Sequence, residues 1–235
     1  MIELIFIIVI LGILSTAAVI YMPDTKLQQA ADTLISNMKY AKTLAQNDDR
    51  YYTMSDSSIG ANINLRNQIQ FWRAGMWQIQ FHTNGVDAKN SYSIYADTAR
   101  TTNTTNFDGR PMDGDIIAKH PINRSCLSGY SANNLPQECL NNIASEVKLE
   151  ETFNVVIEKI DIQPLCKENN ASIRIYFDGR GLPYCGNVDI AQNKLPQRLN
   201  SPIAITLSYK KKKATICVSK SGLIYGSNSG KCDNI

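Results

Sequence analysis

A chain of 235 residues with 43% hydrophobic content is long and apolar enough for a sizeable core, sufficient for one anchor segment plus one globular domain of ordinary size. The net charge of +3 argues against a uniformly basic nucleic-acid binder, yet the charge is unevenly held: from Lys194 onward there are eight Lys/Arg and one acid, Asp233. That C-terminal stretch carries +7 and the preceding residues −4, an asymmetry that can mark an anionic partner.

Residues Met1 to Met22 hold a single charge, Glu3, in an otherwise apolar run rich in Ile, Leu and Val. The length matches the ~20 residues a helix needs to cross a bilayer. A secretory signal peptide would place a basic region before an apolar core of ~7–15 residues. Here no Lys or Arg precedes the core and the core is longer, although Ser15-Thr16-Ala17-Ala18 mimics a cleavage site. A plain signal anchor with an incidental acid is the other bland reading. An acid at the head of such a run is costly without a partner, so Glu3 is a candidate functional residue.

The segment Met1-Ile2-Glu3-Leu4-Ile5-Phe6-Ile7-Ile8-Val9-Ile10-Leu11-Gly12-Ile13-Leu14 resembles the N-terminal segment of type IV pilins and type II secretion pseudopilins. In that family a prepilin peptidase cuts after the Gly of a short basic leader, and the new N-terminus, usually Phe, is methylated. The leader, its Gly and the Phe are missing here, so the expectation is a coding start upstream of Met1. The resemblance implies that Glu3 pairs with the N-terminal amine of a neighbouring subunit. It also implies partners: other pilins or pseudopilins in a filament, an inner-membrane assembly platform, and the prepilin peptidase if a leader exists.

After Pro23, apolar residues recur at spacings of three and four: Leu27, Ala30, Ala31, Leu34, Ile35, Met38, Ala41, Leu44 and Ala45. Gln28, Gln29, Asp32, Ser36, Lys39 and Lys42 take the other positions, and the pattern ends at Asn47-Asp48-Asp49-Arg50. The expectation is one helix of about 46 residues, spanning roughly 69 Å. Its second half would need the rest of the chain to cover its stripe.

Strand patterns follow. Gln68 to Arg73 and Met76 to His82 alternate around Ala74-Gly75, and Ser91 to Tyr95 follows the turn signal Asn84-Gly85. Trp72 and Trp77 read as core or sheet-face residues. From Ala96 to about Ser145 no periodicity is evident, and Thr101 to Asn106 is a polar loop. Alternation returns in Phe153 to Ile162, Ser172 to Phe177, Pro202 to Tyr209, Ala214 to Ser219 and Gly222 to Gly226. A helix followed by two groups of antiparallel strands predicts an α+β fold: a long N-terminal helix, membrane half plus amphipathic half, packed on antiparallel β-sheets in a pilin-like arrangement. The expected units are 1–23, the transmembrane and assembly half of the helix; 24–50, its amphipathic half; and 51–235, a periplasmic β domain.

The C-terminal order resembles the GspH/FimT group of minor pseudopilins: Ile175-Tyr176-Phe177, the loop Asp178 to Gly181, Ile205-Thr206-Leu207, the basic turn Lys210 to Lys213, and Gly222-Leu223-Ile224. The resemblance implies a structural subunit of a type II secretion system or type IV pilus-like filament, with the globular domain in the periplasm and the helix in the bacterial inner membrane before assembly. Since FimT-like members in some bacteria take part in DNA uptake, it also allows a membrane-anchored DNA- or protein-binding module.

Six cysteines, Cys126, Cys139, Cys166, Cys185, Cys217 and Cys232, lack the Cys-x-x-Cys spacing of zinc sites. An even count behind an anchor reads as disulfides in an oxidising compartment, with fifteen connectivities open. Pairing neighbours, Cys126–Cys139, Cys166–Cys185 and Cys217–Cys232, closes the shortest loops. Asp108, Asp113 and Asp115 cluster in a Gly-containing loop, a calcium candidate without EF-hand spacing that ordinary turn chemistry explains equally well. No other cofactor is suggested. Lys210, Lys211, Lys212 and Lys213 read as a solvated hairpin turn or as an anion or DNA contact, with only Tyr209 and Tyr225 nearby in sequence for stacking. Sequons occur at Asn103, Asn123 and Asn170, the last preceded by Glu168. His82 and His120 belong to no nucleophile, phosphate-loop or paired-acid motif, so the expectation is a non-enzyme.

Overall fold

The computed structural model describes residues 5, 7–12, 25–48, 72–84, 88–98, 107–130, 135–166, 172–189, 192 and 194–233. Helix α1 is Thr25–Gln46. Its stripe of Leu27, Ala30, Ala31, Leu34, Met38, Ala41 and Ala45 is buried, while Gln28, Gln29, Asp32, Ser36 and Lys39 are exposed. Four alanines on that stripe carry little bulk, so the sheets can approach the helix axis closely.

The strands among the described residues are β1 (Trp77–His82), β2 (Ser91–Ala96), β3 (Ile116–Ile117), β4 (Val156–Asp161), β5 (Ser172–Phe177), β6 (Pro183–Cys185), β7 (Gln197–Arg198), β8 (Ile203–Tyr209), β9 (Lys212–Val218) and β10 (Ile224–Ser227). A five-residue helix, α2 (Leu149–Phe153), precedes β4. They form two antiparallel sheets, one in the order β3-β2-β1-β5-β6-β7 and the other in the order β10-β9-β8-β4. Helix α1 packs on β1 and β5 of the first and on β8, β9 and β10 of the second. One continuous core results, in which Leu34 and Met38 meet residues such as Ile79, Phe81, Ile175, Ile205 and Ile216.

Polar ties fix the helix in place. Buried Asn37 donates from Nδ2 to the Tyr92 hydroxyl at 2.8 Å, Tyr40 donates its hydroxyl to the Lys119 carbonyl at 3.0 Å, and Lys42 Nζ donates to the Gly222 carbonyl at 2.9 Å. Gly222 sits at φ +82°, and a Cβ there would collide with the Gly181 carbonyl, so the turn under the helix end requires glycine.

The two sheets differ in how they are covered. In β8, Ile203, Ile205, Leu207 and Tyr209 are buried and alternate with half-buried Ala204, Thr206 and Ser208. This is the alternation of a sheet with one wetter face. In β1 and β2 every residue is buried. The first sheet is therefore covered twice, by α1 on one face and by loop segments within 107–144 on the other.

Two expectations are corrected here. The long-helix, pilin-like α+β class is overturned: α1 is 22 residues beginning at Thr25, and the described architecture is mainly antiparallel β. The single-pass inner-membrane location is overturned as well, because no helix among the described residues is long and apolar enough to cross a membrane. The physical reason lies in the sequence of α1. Lys26, Asp32, Lys39 and Lys42 lie along it, and its apolar stripe is already consumed by the protein's own sheets. Glu3 lies outside the described residues, as do the loop 101–106 and most of the expected strand at 68–73.

Candidate functional site

The face of the first sheet turned away from α1 is polar and buried. Register sets it up: Gln78 pairs with Tyr95 and Tyr176, Gln80 with Ser93 and Arg174, and His82 with Ser91 and Ser172. Directly opposed residues of an antiparallel pair share a face, so the alternation that sends Trp77, Ile79 and Phe81 to the core sends these groups to the other side.

Buried polar groups need partners, and the covering loops supply many of them. The Tyr95 hydroxyl donates to Gln80 Oε1 at 3.0 Å, and Gln80 Nε2 donates to the Gly109 carbonyl at 3.3 Å. Arg174 donates to the same carbonyl from Nε at 3.1 Å and from Nη2 at 2.6 Å, while its Nη1 reaches Asn187 Oδ1 at 3.1 Å. His82 Nε2 and the Ser93 hydroxyl are 3.0 Å apart, and Ser93 is in turn 3.0 Å from the Ser128 hydroxyl. Gln78 has neither side-chain atom hydrogen bonded. Burial, with the Arg174 charge adding to it, pushes the His82 imidazole down to about 3, so it is neutral at physiological pH. Burial also raises the Tyr95 hydroxyl well above its ordinary range.

Gly109 is the hub of this layer. Its carbonyl receives Gln80 and Arg174, and its N–H donates to Asp97 Oδ2 at 2.6 Å. Its φ is +64°, and a Cβ would stand 2.9 Å from Arg174 Nη2, so glycine is favoured and any larger residue must displace the guanidinium.

Asp97 follows β2 directly and is 1% exposed. Its second oxygen, Oδ1, has no hydrogen-bond partner. Carboxylate oxygens of Asp97, Asp108 and Asp115 all lie within 4.8 Å of one another. Burial first, and the neighbouring Asp115 and Asp108 charges after it, push the Asp97 carboxyl up to about 9. Asp115 is positioned by the loop itself: it accepts the Thr98 N–H at Oδ1 and the Met112 N–H at Oδ2, both at 3.0 Å. Asp108 Oδ1 accepts the Arg110 N–H at 2.9 Å. Of the acids singled out by sequence, Asp108 and Asp115 come together and exposed Asp113 does not join them. Asp97 is the member that sequence reading missed. Its one signal is position, as the first charged residue after the alternating strand that ends at Ala96.

The structure joins Cys126 to Cys139, Cys166 to Cys185, and Cys217 to Cys232. The first staples the loops over the polar face, where Cys126 bridges to Lys119 and Ile143. The second ties the chain after β4 to β6, linking the two sheets. The third holds the C-terminal segment to β9. Three disulfides are consistent with an extracytoplasmic location.

The four lysines are not one patch. Lys210 takes φ +55° in a tight hairpin turn, with its ammonium 5.0 Å from the centre of the Tyr209 ring. Lys212 and Lys213 are already in β9, paired with Tyr209 and Ser208, and Lys213 makes an ion pair with Glu158. Among the sequons, Asn103 and Asn170 lie outside the described residues. Asn123 is folded into a turn in which its Oδ1 accepts the Ser125 N–H at 3.0 Å. His120 Nε2 is 3.7 Å from Glu146 Oε1, beside an open cleft of about 430 Å³ that Asp32, Ser36 and Asn37 also line.

At the other end of the chain the helical residues Ile5, Ile7, Ile8, Val9, Ile10 and Leu11 are each about half exposed or more, from 48% to 61%. Set against protein-family models, curated proteins and solved structures, the chain matches none of them.

Proposed function

We propose that this chain is a structural subunit of an extracytoplasmic filament, a minor pseudopilin of a type II secretion or type IV pilus-like machine. The observation that carries the reading is the exposure of the aliphatic residues Ile5, Ile7, Ile8, Val9, Ile10 and Leu11, on a chain whose α1 stripe is already covered by its own sheets. Large aliphatic side chains in water are unfavourable by ~25 cal/mol per Å² of apolar surface. Contiguous patches of this kind mark interaction sites. The opening sequence, with Glu3 heading the run, supports other subunits of the same type as the partners. A carboxylate enclosed among such helices requires a cation, and a neighbour's terminal amine provides one.

Glu3→Ala is the test. The variant is expected to fold with an unchanged urea midpoint and to be excluded from filaments that wild-type chains enter. Entry at the wild-type level refutes the role given to Glu3. The alternative of a DNA- or protein-binding module resting on Lys210 to Lys213 is weaker, because Lys213 is neutralised by Glu158 and the lysines are divided between a turn and a strand.

A further inference from the structure

We propose that Asp97, Asp108 and Asp115 form a binding site for a divalent cation of calcium's size, at the edge of the loop layer that covers the polar sheet face. Three carboxylates from two segments, the end of β2 and the loop 108–115, converge within 4.8 Å of one another. A cation with oxygen ligands at ~2.4 Å spans such a set, whereas magnesium at ~2.0–2.1 Å demands a tighter one. The cluster alone would be unremarkable surface chemistry, but Asp97 is not on the surface. It is 1% exposed, it faces the other two acids, and its Oδ1 lacks any hydrogen-bond partner. A buried carboxylate oxygen left unpaired is costly, and a cation bridging it to Asp108 and Asp115 removes the cost while cancelling their mutual repulsion.

The surrounding geometry is shaped for this. Gly109 Nα–H fixes Asp97 through Oδ2, leaving Oδ1 as the unpaired oxygen. Thr98 and Met112 fix Asp115 through backbone N–H groups, so two of the three ligands are held before a cation arrives. Arg174 is the nearby positive charge: its Nε and Nη2 donate to the Gly109 carbonyl and its Nη1 to Asn187 Oδ1, and its field only partly offsets the repulsion among the three acids. The site lies far along the chain from the apolar run and does not depend on whether the protein polymerises. Its consequence is local: calcium would lock the covering loops to the end of β2.

The experiment is thermal unfolding of the full disulfide-intact chain in EDTA, in calcium chloride and in magnesium chloride, with calorimetric titration of calcium alone. Calcium at 100 times its Kd is expected to raise Tm by roughly 5–10 °C, with one ion bound per chain and a smaller response to magnesium. Asp108→Asn keeps the Arg110 N–H acceptor and removes one of the repelling charges, so it should be at least as stable as wild type in EDTA and lose the calcium increment. Asp113→Asn should retain the increment. No increment in wild type, an equal increment in Asp108→Asn, loss in Asp113→Asn, or an equal response to magnesium overturns the assignment.

Discussion

Replacing Gly109 with Ala strikes the hub of the buried polar layer in two separable ways. At φ +64° a residue with a Cβ pays about 1–2 kcal/mol for the left-handed conformation. The new methyl would also stand 2.9 Å from Arg174 Nη2 and must displace the guanidinium from the Gly109 carbonyl. Arg174 is 7% exposed, so no water replaces the lost partner, and a charge-assisted hydrogen bond contributes about 1.5–3 kcal/mol. Together the substitution should cost about 2.5–5 kcal/mol. Urea unfolding followed by tryptophan fluorescence measures it, since Trp77 lies in β1. Repeating the substitution in an Arg174→Met background separates the causes: with the guanidinium absent, the cost should fall toward the backbone component of about 1–2 kcal/mol. A Gly109→Ala chain within about 0.5 kcal/mol of wild type, or a cost unchanged by Arg174→Met, would refute the reasoning.

Three further outcomes are expected. Leu34→Ala removes a fully buried side chain between the two sheets and should destabilise by about 3 kcal/mol, while Ser36→Ala on the exposed face should change stability by less than about 0.5 kcal/mol in the same urea titration. Cys126→Ser with Cys139→Ser opens the staple over the polar face and should cost about 3 kcal/mol, read by urea midpoint and by faster proteolysis within 107–144; an unchanged midpoint contradicts the stapling role. His82 binds fewer protons folded than unfolded between pH 3 and 6.5, so its contribution is complete above pH 6.5 and is lost as pH falls. Asp97 acts in the opposite sense, its stabilising effect declining as pH rises toward 9. Comparing His82→Gln with wild type isolates the histidine: wild type should lose about 1.4 kcal/mol more per pH unit between pH 6 and 4, and parallel slopes would contradict its neutral burial.

The helix and most strands were legible because their periodicity is local. Leu27, Ala30, Leu34, Met38, Ala41 and Ala45 recur at helical spacing, and the alternation in Ile203 to Tyr209 matches its burial residue by residue. An apolar run followed by an apolar stripe reads as one element in the sequence. The defined helix begins at Thr25, two residues after Pro23 in the sequence. The hairpin at Lys210 is tighter than its composition suggests: four consecutive lysines read as turn, whereas Lys210 alone among them adopts positive φ and Lys212 and Lys213 pair with β8. The polar layer was hidden more deeply. Gln78, Gln80 and His82 look like the wet side of a half-buried strand, and they are buried because aperiodic loops, held by Cys126–Cys139, close over them. Asp97 belongs to the acid cluster only through that closure.

Whether the exposed aliphatic run joins subunits is tested most directly by sedimentation velocity of the full disulfide-intact chain beside an Ile8→Lys, Leu11→Lys double variant. Wild type should form large assemblies whose size grows with concentration. The double variant should sediment as a monomer with the same urea midpoint, because both substituted side chains are exposed, Ile8 at 60% and Leu11 at 59%. A wild-type chain that remains monomeric, or a double variant that assembles like wild type, would contradict assembly through the N-terminal segment.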